Sequence, residues 1–280
     1  MKERLHLITD SGSTKTTWVL YVEDGEGKST EAARCTTEGI NPIHMDTDQI
    51  AAIVAKAVAQ QPLMEDAVAV DFYGSGCTKE ASPRVRDVLL QHFPQATDIV
   101  VDSDIIGAAI ALCGSNEGIA CILGTGANSC LWNGKDIVAQ TPALGYILGD
   151  EGSGAVLGRT FVNALYKRQL PESLLKAFEE RYQTNMSGVI ERVYRQPLAN
   201  RWLASLSPFI AENLHHEGVE RLVTECFSDF IRKNVMPYGR PDLPVSFVGS
   251  IASVYSRQLC KALESHGMKC GKIMKEPLCP

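Results

Sequence analysis

The sequence predicts an α/β fold of two related lobes, with a long helical insertion in the second lobe. Strand and helix patterns alternate through the first half of the chain, as in an α/β sheet. A hairpin pattern with a small polar turn near Gly12 returns near Gly124, which indicates an internal repeat. With 280 residues the chain is long enough for two domains, and we expect lobes of residues 1–112 and 113–280 facing each other across a cleft.

The individual elements follow from apolar spacing. LITDSGSTKTTWVLY, residues 7–21, has apolar and β-branched residues on both sides of a polar turn and predicts a hairpin. The segment GIACILGTGANSCLW, residues 118–132, predicts a second one. Further patterns predict helices over 47–61, 83–93 and 105–112, strands over 67–74 and 98–101, a helical insertion over about 152–238, and a strand, Gly-Ser turn and amphipathic helix over 245–267.

The first turn has the composition of a phosphate-binding site. Residues 11–14 are Ser, Gly, Ser and Thr, which let consecutive backbone N–H groups converge on an anion. Lys15 adds a positive charge, and Asp10 at the strand end is placed to hold Mg²⁺ through water. For this segment alone, an ordinary polar hairpin turn is the alternative.

Three further segments could contact a nucleotide: residues 124–128, 149–154 and 249–250. Neither the G-x-x-x-x-G-K-[ST] pattern nor a dinucleotide-binding G-x-G-x-x-G is present, because Ser129 stands at the third glycine position. A pair of phosphate-binding hairpins is the reading that remains.

Composition excludes several classes. The net charge is −6 and no basic run occurs, which argues against nucleic acid or an anionic membrane as partner. No apolar stretch reaches the ~18 residues of a membrane helix, and the N-terminus has no export signal. The nine cysteines form no C-x-x-C pair and lie in apolar runs, so we expect reduced core thiols in a cytoplasmic protein.

The ordered motifs resemble the actin and hexokinase superfamily, and more narrowly the BadF/BadG/BcrA/BcrD ATPase family with its N-acetylglucosamine kinases. The resemblance spans nearly the whole chain. Its motifs are DSGSTKT (10–16), EGINP (38–42), DSDIIGAAIA (102–111), LGTGAN (123–128), LGDEGSG (148–154) and VGSIA (248–252).

The resemblance implies two ribonuclease-H-like lobes around an ATP cleft, with ATP and Mg²⁺ as cofactors. It implies that Asp10 organises the metal. The implied ATP- and phosphate-binding residues are Asp10, Gly12, Ser13, Thr14, Lys15, Thr16, Gly124, Thr125, Gly126, Gly249 and Ser250. The helix that begins near Ser250 would turn its positive end toward the nucleotide.

The resemblance also implies a sugar site and a catalytic base. Asn41, Gly145, Asp150 and Glu151 match the sugar-binding positions, and Asp104 matches the base. Phosphoryl transfer needs a carboxylate near the attacking hydroxyl, and an aspartate between a buried strand and an alanine-rich helix suits that role. From the residues alone, Asp104 could equally be a helix N-cap, and Asp150 and Glu151 could be first-turn acids. Asp102 is the rival base, but Asp104 directly precedes the helical segment.

The leading hypothesis is ATP-dependent phosphorylation of an amino sugar, N-acetylglucosamine at its 6-hydroxyl, by a homodimer whose contact surface lies in the helical insertion. The alternatives are an activator ATPase of a 2-hydroxyacyl-CoA dehydratase system and a non-catalytic sugar or nucleotide sensor. The segment PALGYILGDEG lacks the tryptophan and glycine that human-type N-acetylglucosamine kinases have before this loop, which leaves the choice among hexose derivatives open. After KEPLCP, a short further segment closing on the first lobe is expected.

Overall fold

The computed structural model describes residues 4–25 and 28–278. They form two compact units, one of residues 4–111 together with 276–278 and one of residues 112–275. The last described residues of the chain therefore belong to the first unit. The lobe limits expected at residues 112 and 113 stay a prediction.

The first unit is built on a five-stranded mixed sheet. Its strands are β1 (Arg4–Ser11), β2 (Lys15–Glu23), β3 (Ser29–Glu38), β4 (Ala69–Gly74) and β5 (Asp98–Ser103), in the order β3-β2-β1-β4-β5. β2 is antiparallel to both β1 and β3, whereas β4 lies parallel to β1 and β5 parallel to β4. Consequently β1, β3, β4 and β5 all end at the same edge of the sheet.

Three helices and a 3-10 turn complete the first unit. The helices are α1 (Thr47–Gln60), α2 (Ser82–His92) and α3 (Asp104–Cys113), and the 3-10 turn covers Pro62–Asp66. Asp46 precedes α1 as its N-cap and forms a capping box. The Asp46 side chain accepts from Gln49 N–H, and the Gln49 side chain accepts from Asp46 N–H. Alternate residues of β1 and β2 pack with α1 and α2 into one apolar core, so these two helices cover one face of the sheet.

The second unit repeats the strand order of the first. Its strands are β6 (Glu117–Leu123), β7 (Ala127–Asn133), β8 (Ile137–Gln140), β9 (Pro244–Val248) and β10 (Lys269–Met274), in the order β8-β7-β6-β9-β10. β6, β7 and β8 are antiparallel neighbours, and β9 and β10 continue the sheet in parallel. The predicted internal repeat is confirmed at the level of topology, although β3, β8 and β10 were missing from the sequence prediction.

The helical insertion is confirmed. A short helix, α4 (Gly145–Leu148), precedes it. The insertion contains α5 (Gly154–Tyr166), α6 (Glu172–Tyr182), α7 (Met186–Tyr194), α8 (Ala199–Ala204), α9 (Ser207–Glu212), α10 (Glu217–Phe230), a π turn (Ile231–Val235) and a 3-10 turn (Met236–Tyr238). Phe161 on α5 contacts Phe178 and Phe209 edge to face, with ring centroids 6.3 and 5.9 Å away. Each such pair contributes about 0.5–1.5 kcal/mol beyond its buried area, so α6 and α9 hold α5 in place.

The helix predicted after the Gly-Ser turn is two helices, α11 (Ser250–Val254) and α12 (Ser256–Ser265). They are separated by Tyr255, which is fully buried and donates its hydroxyl to the Ser207 carbonyl at 2.7 Å. The five-residue α11 has only a small dipole to turn toward a ligand.

The expectation of reduced thiols is wrong for one pair of cysteines. Cys260 on α12 and Cys270 on β10 form a disulfide with a Cα–Cα distance of 5.6 Å. Sequence spacing did not indicate the pair, because the turn from helix to strand brings the two residues together. The other described cysteines are free thiols, Cys35, Cys77, Cys113, Cys121, Cys130 and Cys226, and Cys279 lies outside the described residues.

Within residues 4–25 and 28–278, every helix is too short or too polar to cross a membrane.

Candidate active site

The carboxyl ends of the strands in the first unit bring the predicted site residues of that unit to one edge. Ligands of open α/β sheets bind outside this edge. Asp10 lies near the end of β1, Gly39 and Asn41 follow β3, and Asp104 follows β5. The Ser75 N–H after β4 donates to the Ser11 carbonyl at 2.8 Å, so the loop after β4 is bonded to the end of β1, where the turn between β1 and β2 begins.

The turn between β1 and β2 rests directly on the backbone of Gly39. Gly12 N–H donates to Lys15 O at 3.0 Å, and Gly39 N–H donates to Thr14 O at 3.2 Å. A Cβ on Gly39 would lie 2.2 Å from Gly12 O and 2.8 Å from the Ser13 carbonyl carbon. Since no side chain fits there, glycine at position 39 is required for this shape of the turn.

Two buried hydroxyl groups, of Ser11 and Thr16, stabilise the turn between β1 and β2. Ser11 Oγ and Thr16 Oγ1 are 2.7 Å apart, and Ile40 N–H donates to them at 2.9 and 3.2 Å. Thr16 also donates to Glu38 O at 3.0 Å. Thr16 is fully buried, so in this structure its hydroxyl supports the turn. The direct phosphate contact predicted for Thr16 stays a prediction.

The other predicted phosphate-binding residues of the first unit lie at the surface. Gly12 and Ser13 are partly exposed, and Thr14 and Lys15 are exposed. The Lys15 ammonium forms an ion pair with Glu276, with Nζ 2.5 Å from Oε1. Sequence reasoning did not anticipate this ion pair.

Two carboxyl groups at the edge have pKa values raised toward neutrality. Burial raises the pKa of Asp10 to about 7, assisted by the negative charges of Asp104 and Glu276 and opposed by Lys15. Burial also raises the pKa of Asp104 to about 6, although hydrogen bonds from Ile105 N–H and the Ser75 hydroxyl favour its charged form. A carboxylate with a pKa near 6 is suited to accept a proton at neutral pH.

Asp104 is also the first residue of α3, so the helix-terminus alternative and the base assignment are compatible. The rival Asp102 lies within β5, and burial raises its pKa as well.

Asn41, the predicted sugar ligand of this unit, packs on the loop that contacts Asp104. Its Oδ1 accepts from Ile43 N–H at 3.0 Å. Gly76 in that loop has φ +82°, and a Cβ there would lie 2.3 Å from Asn41 Oδ1. Residues 75 and 76 therefore link Asn41 to Asp104, because the Ser75 side chain hydrogen-bonds Asp104 while Gly76 lies against Asn41.

The turn between β6 and β7 in the second unit is held by the start of a helix. Gly124 N–H donates to Gly126 O at 3.0 Å, which closes the turn. Gly154 and Ala155, at the start of α5, donate their N–H groups to Gly124 O at 2.8 Å and Thr125 O at 3.2 Å. Residues 124–126 are partly exposed. The first N–H groups of α5 are already hydrogen-bonded to the carbonyls of Gly124 and Thr125.

Gly249 packs closely against the backbone at the start of the turn between β6 and β7. Its φ is +125°, and a Cβ would lie 2.2 Å from Leu123 O. Ser250, which follows it, is exposed. Gly249 therefore lies beside the turn between β6 and β7. The nucleotide contact predicted for Gly249 and Ser250 stays a prediction.

Asp150 and Glu151 in the GDEG loop have different environments. Asp150 has φ +53° and accepts the N–H groups of Ala127 and Gly145, which joins the loop to the β6–β7 turn and to α4. Burial raises its pKa. Glu151 Oε1 lies 3.1 Å from Lys233 Nζ and its Oε2 accepts from Asn234 Nδ2 at 3.1 Å. Burial raises the pKa of Glu151, but hydrogen bonds from its own backbone N–H, from Asn234 and from Lys233 outweigh burial and lower the pKa overall.

Lys233 and Asn234 are site residues that the sequence reasoning missed. Both lie on the π turn, a form often found at functional sites. The Asn234 carbonyl also accepts from Ser129 Oγ at 2.9 Å and Thr141 Oγ1 at 3.1 Å, so the π turn is fastened to the edge of the sheet. No local pattern indicates these partners, since Lys233 and Glu151 are far apart in the sequence.

Comparison with known proteins defines the class. No protein-family model matches the chain, and no curated protein sequence matches it either. The chain shares 18% identity and a TM-score of 0.70 with a structure described as a "Putative N-acetylglucosamine Kinase" from Chromobacterium violaceum, covering 96% of this chain and 94% of that one. The ethanolamine utilization protein EutJ from Carboxydothermus hydrogenoformans gives 17% identity and a TM-score of 0.57, covering 99% of this chain and 87% of that one. These likenesses, with the repeated sheet, show an actin/hexokinase-like fold.

A further structure is much more similar. The "Putative N-acetylglucosamine Kinase" from Porphyromonas gingivalis shares 46% sequence identity with this chain and a TM-score of 0.92, covering 97% of this chain and 95% of that one. The chain belongs to the same family as this Porphyromonas gingivalis protein.

Proposed function

We propose that the protein is an ATP-dependent sugar kinase that phosphorylates a hydroxyl of an amino sugar, with N-acetylglucosamine at its 6-hydroxyl as the leading substrate. The observation that carries the proposal is Asp104, a carboxylate of pKa about 6 held by Ser75 at the edge where β1, β4 and β5 end. The relative with 46% identity, described as a putative N-acetylglucosamine kinase, supports the same activity. Assignment to the BadF/BadG/BcrA/BcrD family is part of the proposal.

Each unit contributes one phosphate-binding turn in this proposal. In the first unit, residues 12–15 would bind phosphate through backbone N–H groups and the Lys15 ammonium. In the second unit, residues 124–126 would do so, with Gly249 and Ser250 near the adenosine. The close backbone contacts of Gly39 and Gly249 support it, because a side chain at either position would change the shape of the turn it contacts.

The residues of the first unit fit a magnesium ion held mainly through water. Burial raises the pKa of Asp10, and the negative charges of Asp104 and Glu276 raise it further, so a cation would relieve the repulsion among these carboxylates. Within the described parts of the chain, no three His, Cys, Asp or Glu side chains are grouped as metal ligands. Mg²⁺ typically keeps several waters and uses one or two carboxylates with substrate phosphates, so a single Asp10 is sufficient.

The chain's own groups then orient the acceptor and move its proton. When bound, ATP supplies the phosphoryl group that is transferred. Asp104 accepts the proton of the sugar hydroxyl, and the Ser75 hydroxyl keeps the carboxylate in place. Asn41, Gly145, Asp150 and Glu151 are proposed to contact the sugar, while Lys233 and Asn234 hold Glu151 ionised.

The test is a coupled ADP-release assay with Mg²⁺ over a panel of N-acetylglucosamine, glucosamine, N-acetylmannosamine, glucose and water. We expect N-acetylglucosamine to stimulate ADP release most, and phosphorus NMR of the product to place the phosphate on the 6-oxygen. If no sugar raises ADP release above the water blank, the kinase proposal is wrong. Stimulation by another hexose alone would keep the kinase and change its substrate. A homodimer and a cytoplasmic location stay predictions.

A further inference from the structure

The end of the chain adds a carboxylate to the first phosphate-binding turn. After β10, residues 276–278 join the first unit, where Leu278 packs with Ile8, Val19 and Tyr21 on the sheet face opposite α1 and α2. The Tyr21 hydroxyl donates to Leu278 O at 3.2 Å. This anchored segment, Glu276–Leu278, is called the C-terminal strap below.

Glu276 on the strap makes two ion pairs at once. Its Oε1 lies 2.5 Å from Lys15 Nζ, and its Oε2 lies 3.1 Å from Arg34 Nη1 on β3. Arg34 has a second carboxylate partner, Glu31, at 2.8 Å. In this arrangement Arg34 and the strap fix the Glu276 carboxylate, and Glu276 in turn fixes the ammonium of Lys15.

We propose that Glu276 is a positioning residue that sets nucleotide affinity by occupying Lys15 until a phosphate group displaces it. The inference rests on the proposed function, in which Lys15 binds phosphate. Glu276 and a phosphate oxygen are both anionic acceptors for the same ammonium, so they compete for it. Lys15 is half exposed, with 52% of its side chain accessible, and a polyphosphate can therefore reach it from solvent.

The pair is weak enough to be exchanged. The ion pair is partly exposed, with 52% of the Lys15 and 24% of the Glu276 side chain accessible. Water therefore screens it and keeps its contribution small, whereas the phosphates of ATP carry several charges. Removing the competing carboxylate should therefore tighten ATP binding by about two- to fivefold, the range that such pairs correspond to. The same carboxylate raises the pKa of Asp10, which is consistent with negative charge facing the turn.

The experiment measures KM for ATP in the full-length protein and its variants. Glu276→Gln should lower KM for ATP about two- to fivefold with kcat nearly unchanged, and Glu276→Asp should stay closer to the wild type because it keeps the charge. Glu31→Gln is the matched control, since it removes the other partner of Arg34 and leaves the Lys15 pair intact; its KM should not change.

A double-mutant cycle identifies the route. In a Lys15→Gln background, Glu276→Gln should have no further effect on KM for ATP, because the competition is for Lys15. An unchanged or increased KM in Glu276→Gln alone, or an equal decrease in the Lys15→Gln background, would overturn the proposal.

A direct binding measurement separates this proposal from the kinase proposal. Calorimetric titration with ATP and Mg²⁺ reports affinity whether or not any sugar is phosphorylated. Tighter ATP binding by Glu276→Gln without sugar-dependent ADP release would support the role of Glu276 and contradict the sugar kinase. Sugar-dependent ADP release with equal ATP affinity in the wild type and Glu276→Gln would support the sugar kinase and overturn the role of Glu276.

Discussion

The turns after β1 and after β6 occupy the same place in two sheets of the same strand order, but they are held differently. The first turn lies on Gly39 and on the buried hydroxyls of Ser11 and Thr16, and charged side chains surround it. The second accepts hydrogen bonds from the first N–H groups of α5 and packs against Gly249.

The difference shows how a repeated fold can divide its chemistry. The first unit concentrates ionisable groups at the sheet edge, where the charges of Asp104, Glu276 and Lys15 all act on Asp10. In the second unit the nearest carboxylate, Asp150, accepts backbone N–H groups and so joins two segments. We infer that the first unit supplies the base and most of the charge, while the second supplies shaped backbone.

Asp104→Asn is the sharpest test of this division. Because the amide cannot accept the proton, turnover should fall roughly 100- to 10,000-fold while the affinity for sugar is largely kept. Steady-state ADP release with a separate sugar-binding measurement checks this. Asp150→Asn is the comparison in the second unit and should raise KM for the sugar more than it lowers kcat. Wild-type turnover in Asp104→Asn would place the base elsewhere, with Asp102 as the next candidate.

The pH dependence of the reaction should report the same carboxyl group. Since the pKa of Asp104 is about 6, kcat/KM should level off above that value and fall about tenfold for each pH unit below it. A pH profile of kcat/KM measures this, and Asp102→Asn should leave the profile unchanged. A profile that is flat between pH 5 and pH 7 would contradict the assignment.

Gly39→Ala should break the first turn while leaving the second intact. Its Cβ would meet Gly12 O at 2.2 Å, so backbone must move and the free energy of unfolding should fall by about 2–4 kcal/mol. Gly12→Ala is the matched control, because its Cβ would lie 3.9 Å from Lys15 O. Denaturant unfolding followed by circular dichroism measures both. Equal stability of the two variants would show that Gly39 is not the support of the turn.

Burial of Asp104 should also be visible in stability. Its pKa is raised from 3.8 to about 6 in the folded protein, so the folded state keeps a proton that the unfolded chain has lost. The resulting stabilisation is complete below about pH 4 and is lost as pH rises through 6. Asp104→Asn should therefore be more stable than the wild type at pH 8, by at most about 3 kcal/mol, and gain little at pH 4. A pH-independent difference would contradict this.

The smallest effects compare two serines. Ser11→Ala leaves the Ile40 N–H with fewer buried partners and should cost about 1–3 kcal/mol. Ser153→Ala removes the N-cap of α5, whose side chain accepts from Val156 N–H, and should cost about 1 kcal/mol. Thermal unfolding of both variants tests the order. A larger loss in Ser153→Ala would mean that the helix start matters more than the hydroxyl pair.

Local patterns were sufficient for the elements that bury an apolar face. The opening hairpin, α1 and the insertion helices were predicted because their apolar spacing is strong. β3 was missed, since much of its surface is exposed and its sequence STEAARCTTE has few apolar residues. β8 and β10 were missed because they lie at the two edges of the second sheet and have no fully buried side chain, so little apolar alternation is required.

What the sequence by itself determined is the repeated strand-turn-strand pattern, the identity of the small turn residues and the aspartate at the start of α3. These are set within a few neighbouring residues, where periodicity and side-chain size act directly. Only the tertiary structure decided the partners of those residues: Glu276 on Lys15, Lys233 and Asn234 on Glu151, Ser75 on Asp104, and the Cys260–Cys270 disulfide. Such pairs depend on where the folded chain returns in space, because a charge or a thiol has no periodic pattern that names its partner.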